Sequence, residues 1–199
     1  MVTTGLSKPY VAKYAHNAGT VTYSGGMKLG RGVSVEIEID AADDNNFYAD
    51  NVIAETESTQ FTSGAATVTV DGLENEAAVL ILGLPTSEPF EVGESKSVNL
   101  QKYGKTLNAP YVAFAYIRRT QMEGVVKYYP VIHPKNKFSI PSDSAATQED
   151  SIDWQTQELS ATILRDDTAE ANWKITTDEG LDTEEEAEEV IKKYLNITA

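Results

Sequence analysis

Residues 111–119 read Y-V-A-F-A-Y-I-R-R, and beyond the turn T-Q-M-E-G (120–124) the chain continues V-V-K-Y-Y-P-V-I-H-P (125–134). Two runs rich in β-branched and aromatic residues around a glycine-bearing turn are the pattern of a β-hairpin. In the first run Tyr111, Ala113, Ala115 and Ile117 fall on one face, and Val112, Phe114 and Tyr116 on the other. A strand that is apolar on both faces has to be covered on both, by a second sheet, a helix or a neighbouring subunit.

On the N-terminal side, Val33, Val35, Ile37 and Ile39 alternate with Ser34, Glu36, Glu38 and Asp40, which predicts a strand with one buried and one acidic face. A-A-T-V-T-V-D (65–71) predicts another, with Thr67 and Thr69 opposite Val68 and Val70. Asp71 and Glu74 have capping-box spacing, and Leu73, Ala77, Leu80, Ile81 and Leu84 recur at helical period, so a helix is expected near 72–83. The first 20 residues read as an extended arm, followed by glycine-rich sequence with one short strand near Val21–Tyr23. The polar stretch 85–110 reads as a long loop or protruding hairpin.

Towards the C-terminus, S-I-D-W-Q-T-Q (151–157) and L-S-A-T-I-L-R (159–165) have period-two character, and a strand is expected around Asn172–Thr176. Thr183 and Glu186 again have capping-box spacing, acids crowd the start of that segment, and Lys192 and Lys193 lie near its end. These features predict a helix near 184–195 with an apolar stripe of Ala187, Val190, Ile191, Tyr194 and Leu195. Many strands with two helices indicate a mainly β (α+β) chain. The expected architecture is an antiparallel β-sandwich or open barrel carrying flanking helices, organised as a single domain over residues 1–199.

Composition restricts function. The chain has no cysteine, so disulfides, thiolate metal sites and a cysteine nucleophile are excluded. No apolar run approaches the roughly 18 residues of a membrane span, and no signal peptide is evident, so a soluble protein made in a cytoplasm is expected. With 16 basic residues against 31 acidic, the net charge is −15, which disfavours a reader of DNA that needs a basic face. Eleven of those acids lie between Asp166 and Glu189, opposed there only by Lys174.

The stretch D-A-A-D-D-N-N-F-Y-A-D-N (40–51) is the one candidate cation loop. An EF-hand needs oxygen ligands at loop positions one, three and five, glycine at six and glutamate at twelve. Starting at Asp43 places Phe47, Tyr48 and Ala54 at five, six and twelve, and starting at Asp44 places Tyr48 and Ala49 at five and six. Both registers fail, and a polar crossing between strands is the simpler reading. The two histidines, His16 and His133, are far apart and lack a carboxylate at a motif spacing. There is no G-x-S-x-G elbow, and neither phosphate-loop pattern fits S-G-G-M-K-L-G-R-G (24–32). Asn196-Ile197-Thr198 matches a glycosylation acceptor only by chance in a chain without a secretory signal. No catalytic, cofactor-binding or metal-binding residue emerges, and an enzyme is not expected.

The order of segments nevertheless resembles the major tail proteins, or tail tube proteins, of siphophages and prophages of Gram-positive bacteria. The phrases that carry the likeness are V-T-Y-S-G-G-M-K-L-G-R-G-V-S-V-E-I-E-I (21–39), F-Y-A-D-N-V-I-A-E-T-E (47–57) and F-T-S-G-A-A-T-V-T-V-D-G-L (61–73). They continue with A-P-Y-V-A-F-A-Y (109–116), K-Y-Y-P-V-I-H-P-K-N-K-F (127–138), D-S-I-D-W-Q-T-Q-E-L-S-A-T-I-L (150–164) and N-W-K (172–174) before an acidic C-terminal helix. The resemblance covers nearly the whole chain, from Gly5 to about Leu195. It implies a tail-tube sandwich whose subunits form hexameric rings. The rings stack around a tape-measure protein, meet tail terminator and distal tail proteins, and conduct DNA without binding it specifically. It implies a virion location after a stage in the host cytoplasm, no enzyme activity and no cofactor.

Acidic walls repel phosphates, which suits a DNA conduit. Glu36 and Glu38 are the candidate lumen-facing acids, and ordinary solvated positions on the outside fit their alternation equally. The alternative functions are a calcium- or carbohydrate-binding sandwich module using the 40–51 stretch and aromatics such as Tyr48, Tyr128 or Trp154, or another β-rich virion component such as a head decoration or tail terminator protein.

Overall fold

The computed structural model describes residues 2–57, 60–93, 96–104, 107–142 and 155–197. Among these residues twelve strands and two helices occur in the order β1 (Val2–Asn17), β2 (Thr20–Lys28), β3 (Gly32–Ala41), β4 (Asn45–Ala49), β5 (Val52–Glu57), β6 (Phe61–Val70), α1 (Asn75–Leu82), β7 (Glu88–Val92), β8 (Lys96–Leu100), β9 (Val112–Met122), β10 (Val125–Phe138), β11 (Gln157–Leu164), β12 (Ile175–Thr176) and α2 (Glu184–Tyr194). The main sheet runs β2-β1-β9-β10-β11-β6-β3, antiparallel throughout, with β12 added beside β10. It curls until its ends approach: a Cβ placed on Gly32 in β3 would lie 3.0 Å from Leu6 Cδ1 in β1. This is the mainly β, sandwich-like architecture that the alternating runs predict.

The hairpin quoted above is β9–β10. Its turn residues Glu123 and Gly124 both have positive φ, 51° and 83°, the backbone sign pattern of the type I′ turn that matches strand twist. Phe114 and Val112 point into the curl, where they meet Val11, Val68, Val70, Leu159 and Ile163, and where Ala77, Ala78, Ile81 and Leu82 of α1 pack. Ala113, Ala115 and Ile117 point the other way, onto Ala187 and Ile191 of α2 and onto Leu195 at its end. A sheet on one side and a helix on the other thus supply the double cover. Each large side chain fully buried in this way contributes about 1.5–3 kcal/mol. Tyr111 departs from its expected face: it precedes the strand, stays 42% exposed and lies under the Lys135 amine, 4.8 Å from its ring centre.

α2 forms as its sequence predicts. Thr183 accepts from the Glu186 backbone N–H at 3.2 Å, and the Glu186 carboxylate accepts from the Thr183 N–H at 3.1 Å. The other helix departs from expectation. It begins only after Glu74, which makes no side-chain cap bond, and Asp71 is not the cap. The Asp71 carboxylate is instead engaged by Arg31, through the Arg31 backbone N–H at 2.9 Å and its guanidinium. Its far end does stop at Gly83, whose φ of 64° suits glycine.

The larger correction concerns the N-terminus. Residues 1–20 are not an arm, because β1 is a sixteen-residue strand inside the sheet, paired with β2 on one side and β9 on the other. Gly5 and Pro9, which look like breakers, sit at register shifts between Thr3 and Gly5 and between Ser7 and Tyr10, so the bulges absorb them. Lys8 takes φ 49° at the second bulge. Stretch 85–110 contains a hairpin, β7–β8. The strand expected around Asn172–Thr176 shortens to β12, and most of S-I-D-W-Q-T-Q lies outside the described residues.

Candidate interaction surface

The acidic stretch builds a second type of hairpin. After β3 ends at Ala41, β4 and β5 pair only with each other, around Asp50 and Asn51 at φ 50° and 65°. Asp and Asn tolerate this left-handed backbone better than most residues, which explains the polar pair at the tip. Asp40 is occupied at the strand end, where its carboxylate accepts from Ser63 at 3.0 Å. Among the described residues no three Asp, Glu or His side chains converge as a cation cage.

The apolar side chains of this hairpin are bare. Phe47 is 65% exposed, Tyr48 62%, Val52 62% and Ile53 53%. The hairpin β7–β8 repeats the situation, with Phe90 53% and Val92 46% exposed and Tyr103 just beyond it at 61%. An isolated two-stranded hairpin is marginal in water, and clustered exposed apolar groups mark contact surfaces. The sequence reading missed this surface. Its signal was the Asp50-Asn51 pair, flanked on both sides by apolar residues in F-Y-A-D-N-V-I.

The sheet itself offers further attachment points. β2 and β3 end the strand order, and an unpaired edge presents backbone donors and acceptors to another chain. Glu36 and Glu38 are exposed on β3, opposite the core-facing Val35 and Ile37. Across the sheet Glu36 aligns with Thr67 and Ser160, and Glu38 with Ala65 and Thr162. The outer face of β3, β6 and β11 is therefore a wall of small, polar and acidic groups.

The two histidines do not come together. His16 is exposed near the β1–β2 turn and accepts from the Gly19 N–H at 3.1 Å. His133 is buried, stacked among Phe114, Tyr116 and Trp173. Burial pushes its pKa down to about 4, outweighing the raising effect of the Trp173 carbonyl 3.1 Å from Nδ1, with the Lys174 charge a smaller lowering influence. A neutral imidazole that donates from Nδ1 leaves Nε2 a buried acceptor without a partner. Its role is structural.

Of the aromatics named for a sugar-binding reading, Tyr48 lies on the β4–β5 hairpin and Tyr128 is half-buried, its backbone bridged to Leu181. Trp154 lies outside the described residues. Compared with known proteins, the chain matches no family model and no curated protein.

Proposed function

We propose that this chain is a structural subunit that assembles with copies of itself into stacked rings, forming a tube, in the manner its resemblance to major tail proteins implies. The observation that carries the proposal is the pair of hairpins, β4–β5 and β7–β8, which bond to nothing else in the main sheet and expose Phe47, Tyr48, Val52, Ile53, Phe90 and Val92. Each hairpin lacks a core of its own, and a neighbouring subunit would supply one. Head-to-tail contacts of this kind use different surfaces on the two partners, and they generate rings when they close and filaments when they do not. The acidic wall around Glu36 and Glu38 suits a conduit through which a polyanion slides without sticking. The reading assigns no catalysis and no cofactor. A tape-measure protein inside and terminator and distal proteins at the ends are the further partners it implies.

Negative-stain electron microscopy of the concentrated protein tests this directly. Rings or tubes are expected for the wild type and should be missing from a Phe47→Ser/Ile53→Ser double variant at the same concentration. Single closed rings without stacking would point to a terminator-like component. A melting temperature lowered by chelator would point to a calcium module. A wild type that stays monomeric at every concentration, with melting indifferent to chelator, would sink the proposal.

A further inference from the structure

The end of the main sheet where β6 begins and β11 stops carries an open groove of about 400 Å³. Phe61 and Trp173 line it, stacked with ring centres 4.8 Å apart and planes 2° from parallel. Arg165 and Lys174 border the same space. Arg165 is held in place, because its guanidinium lies 5.9 Å from the Phe61 ring centre and donates to the Phe61 carbonyl. Both cations are exposed, and among the described residues neither makes an ion pair, although Glu170 also lines the groove. Lack of a carboxylate decides nothing alone, since Arg119 also lacks one and donates to Thr4 Oγ1 at 2.9 Å. The groove adds convergence: two such cations face one space that a side chain from outside can enter.

The opposite end of the same strands is acidic. β6 runs ten residues from Phe61 to Val70, which is about 33 Å of strand. Val70 pairs with Gln157 at the start of β11, and the Gln157 side chain accepts from the Leu73 N–H at 3.3 Å. Glu74 and Glu76 follow at the start of α1, exposed and without an ion pair among the described residues. Acids such as Asp71, Asp167 and Glu188 are tied to cations of their own, and Glu36 and Glu38 lie on the flank of the sheet rather than at its end.

We infer that the groove of Arg165 and Lys174 docks the Glu74–Glu76 segment of a second copy, end to end along β6. Charge complementarity selects this occupant, since a guanidinium held in a fixed plane and an amine beside it both donate to carboxylates. The two surfaces differ, so the contact is head-to-tail: each docked copy still presents a free groove at one end and a free acidic segment at the other. Exposed charges of this kind set partner and orientation, because the reverse alignment would bring like charges together. The inference rests on the self-assembly reading and deepens it, by naming the surfaces through which two copies meet.

A charge swap tests it, read as the protein concentration at which assemblies appear in sedimentation velocity. Lys174→Glu sets a carboxylate against carboxylates and is expected to raise that concentration at least about tenfold. Lys193→Glu, the same charge change on the exposed face of α2, is expected to leave it within about twofold. Glu74→Lys/Glu76→Lys should be impaired like Lys174→Glu. Combining the two inverts the sign of both partners and should bring assembly back near the wild-type level. The altered side chains are all exposed, so melting of the dilute variants should match the wild type and separate a lost contact from a lost fold. Wild-type assembly by Lys174→Glu, or no recovery in the combined variant, overturns the inference and leaves self-assembly standing. A wild type that never assembles overturns both.

Discussion

Strand β9 and the hairpin β4–β5 have similar vocabularies and opposite fates. V-A-F-A-Y-I in β9 contains Val112, Ala113, Phe114, Ala115 and Ile117, all fully buried. F-Y-A-D-N-V-I in the hairpin leaves Phe47, Tyr48, Val52 and Ile53 more than half exposed. Nothing in the apolar character of the two runs separates them. The difference lies in what passes over them: α2 and the curled sheet cover β9, and among the described residues no element covers the hairpin. Apolar surface in the first place stabilises the monomer. In the second it is available to a partner, and the two should answer differently to substitution.

The largest effect is expected at Phe114→Ala. The side chain touches Tyr116, His133 and Phe138 and is wholly buried, so its removal should cost about 3–5 kcal/mol in urea unfolding. A loss under about 1 kcal/mol would break the contrast at its strong end.

Next comes the acid response of the same core. The folded pKa of His133 is about 4, below its ordinary 6.5, so the unfolded chain takes up the proton first. The stability linked to the neutral ring is intact above about pH 6.5 and is lost as pH falls towards 4, amounting to about 3 kcal/mol. His133→Phe should remove this slope. The Glu188 carboxylate titrates in a lower window. Burial alone would raise its pKa, but hydrogen bonds from Lys192, Lys8 and Tyr10 hold it at about 2 against 4.5. Its contribution is therefore kept above about pH 4.5 and lost between there and 2. A flat stability between pH 6.5 and 4.5 in the wild type would contradict the placement of His133.

Thr183→Ala sharpens the helix side of the comparison. It removes one half of the capping box and should cost about 1 kcal/mol, read from the shift in urea midpoint. The smallest effect on stability belongs to Phe47→Ser/Ile53→Ser, expected to change dilute-protein unfolding by less than about 0.5 kcal/mol while assembly is lost. A large destabilisation there would mean that the hairpin supports the monomer after all.

How much was legible follows from how local each signal was. The Thr183–Glu186 box is a four-residue motif and read correctly. The Val33–Asp40 alternation put Glu36 and Glu38 on the exposed side of an edge strand, as expected, but of its apolar face only Val35 and Ile37 reach the core, while Val33 and Ile39 near the strand ends stay exposed. Asp71 and Glu74 had the same spacing, but Arg31, forty residues away, takes the carboxylate, and no local rule foresees that competitor. β1 was missed because Gly5 and Pro9 act as breakers only when a strand must be regular, and here bulges accommodate them.

By itself the sequence determined the β9–β10 hairpin, the strands β3 and β6, the C-terminal helix, and that the chain carries a large negative charge. Those properties depend on neighbours two to four residues apart, within reach of pattern. The tertiary structure decided which apolar faces are covered, which strand fills the middle of the sheet, and which carboxylate each paired cation meets. Those depend on long-range pairing, where Tyr10 finds Glu188 and Tyr14 finds Asp167, and such partners are chosen by the whole fold.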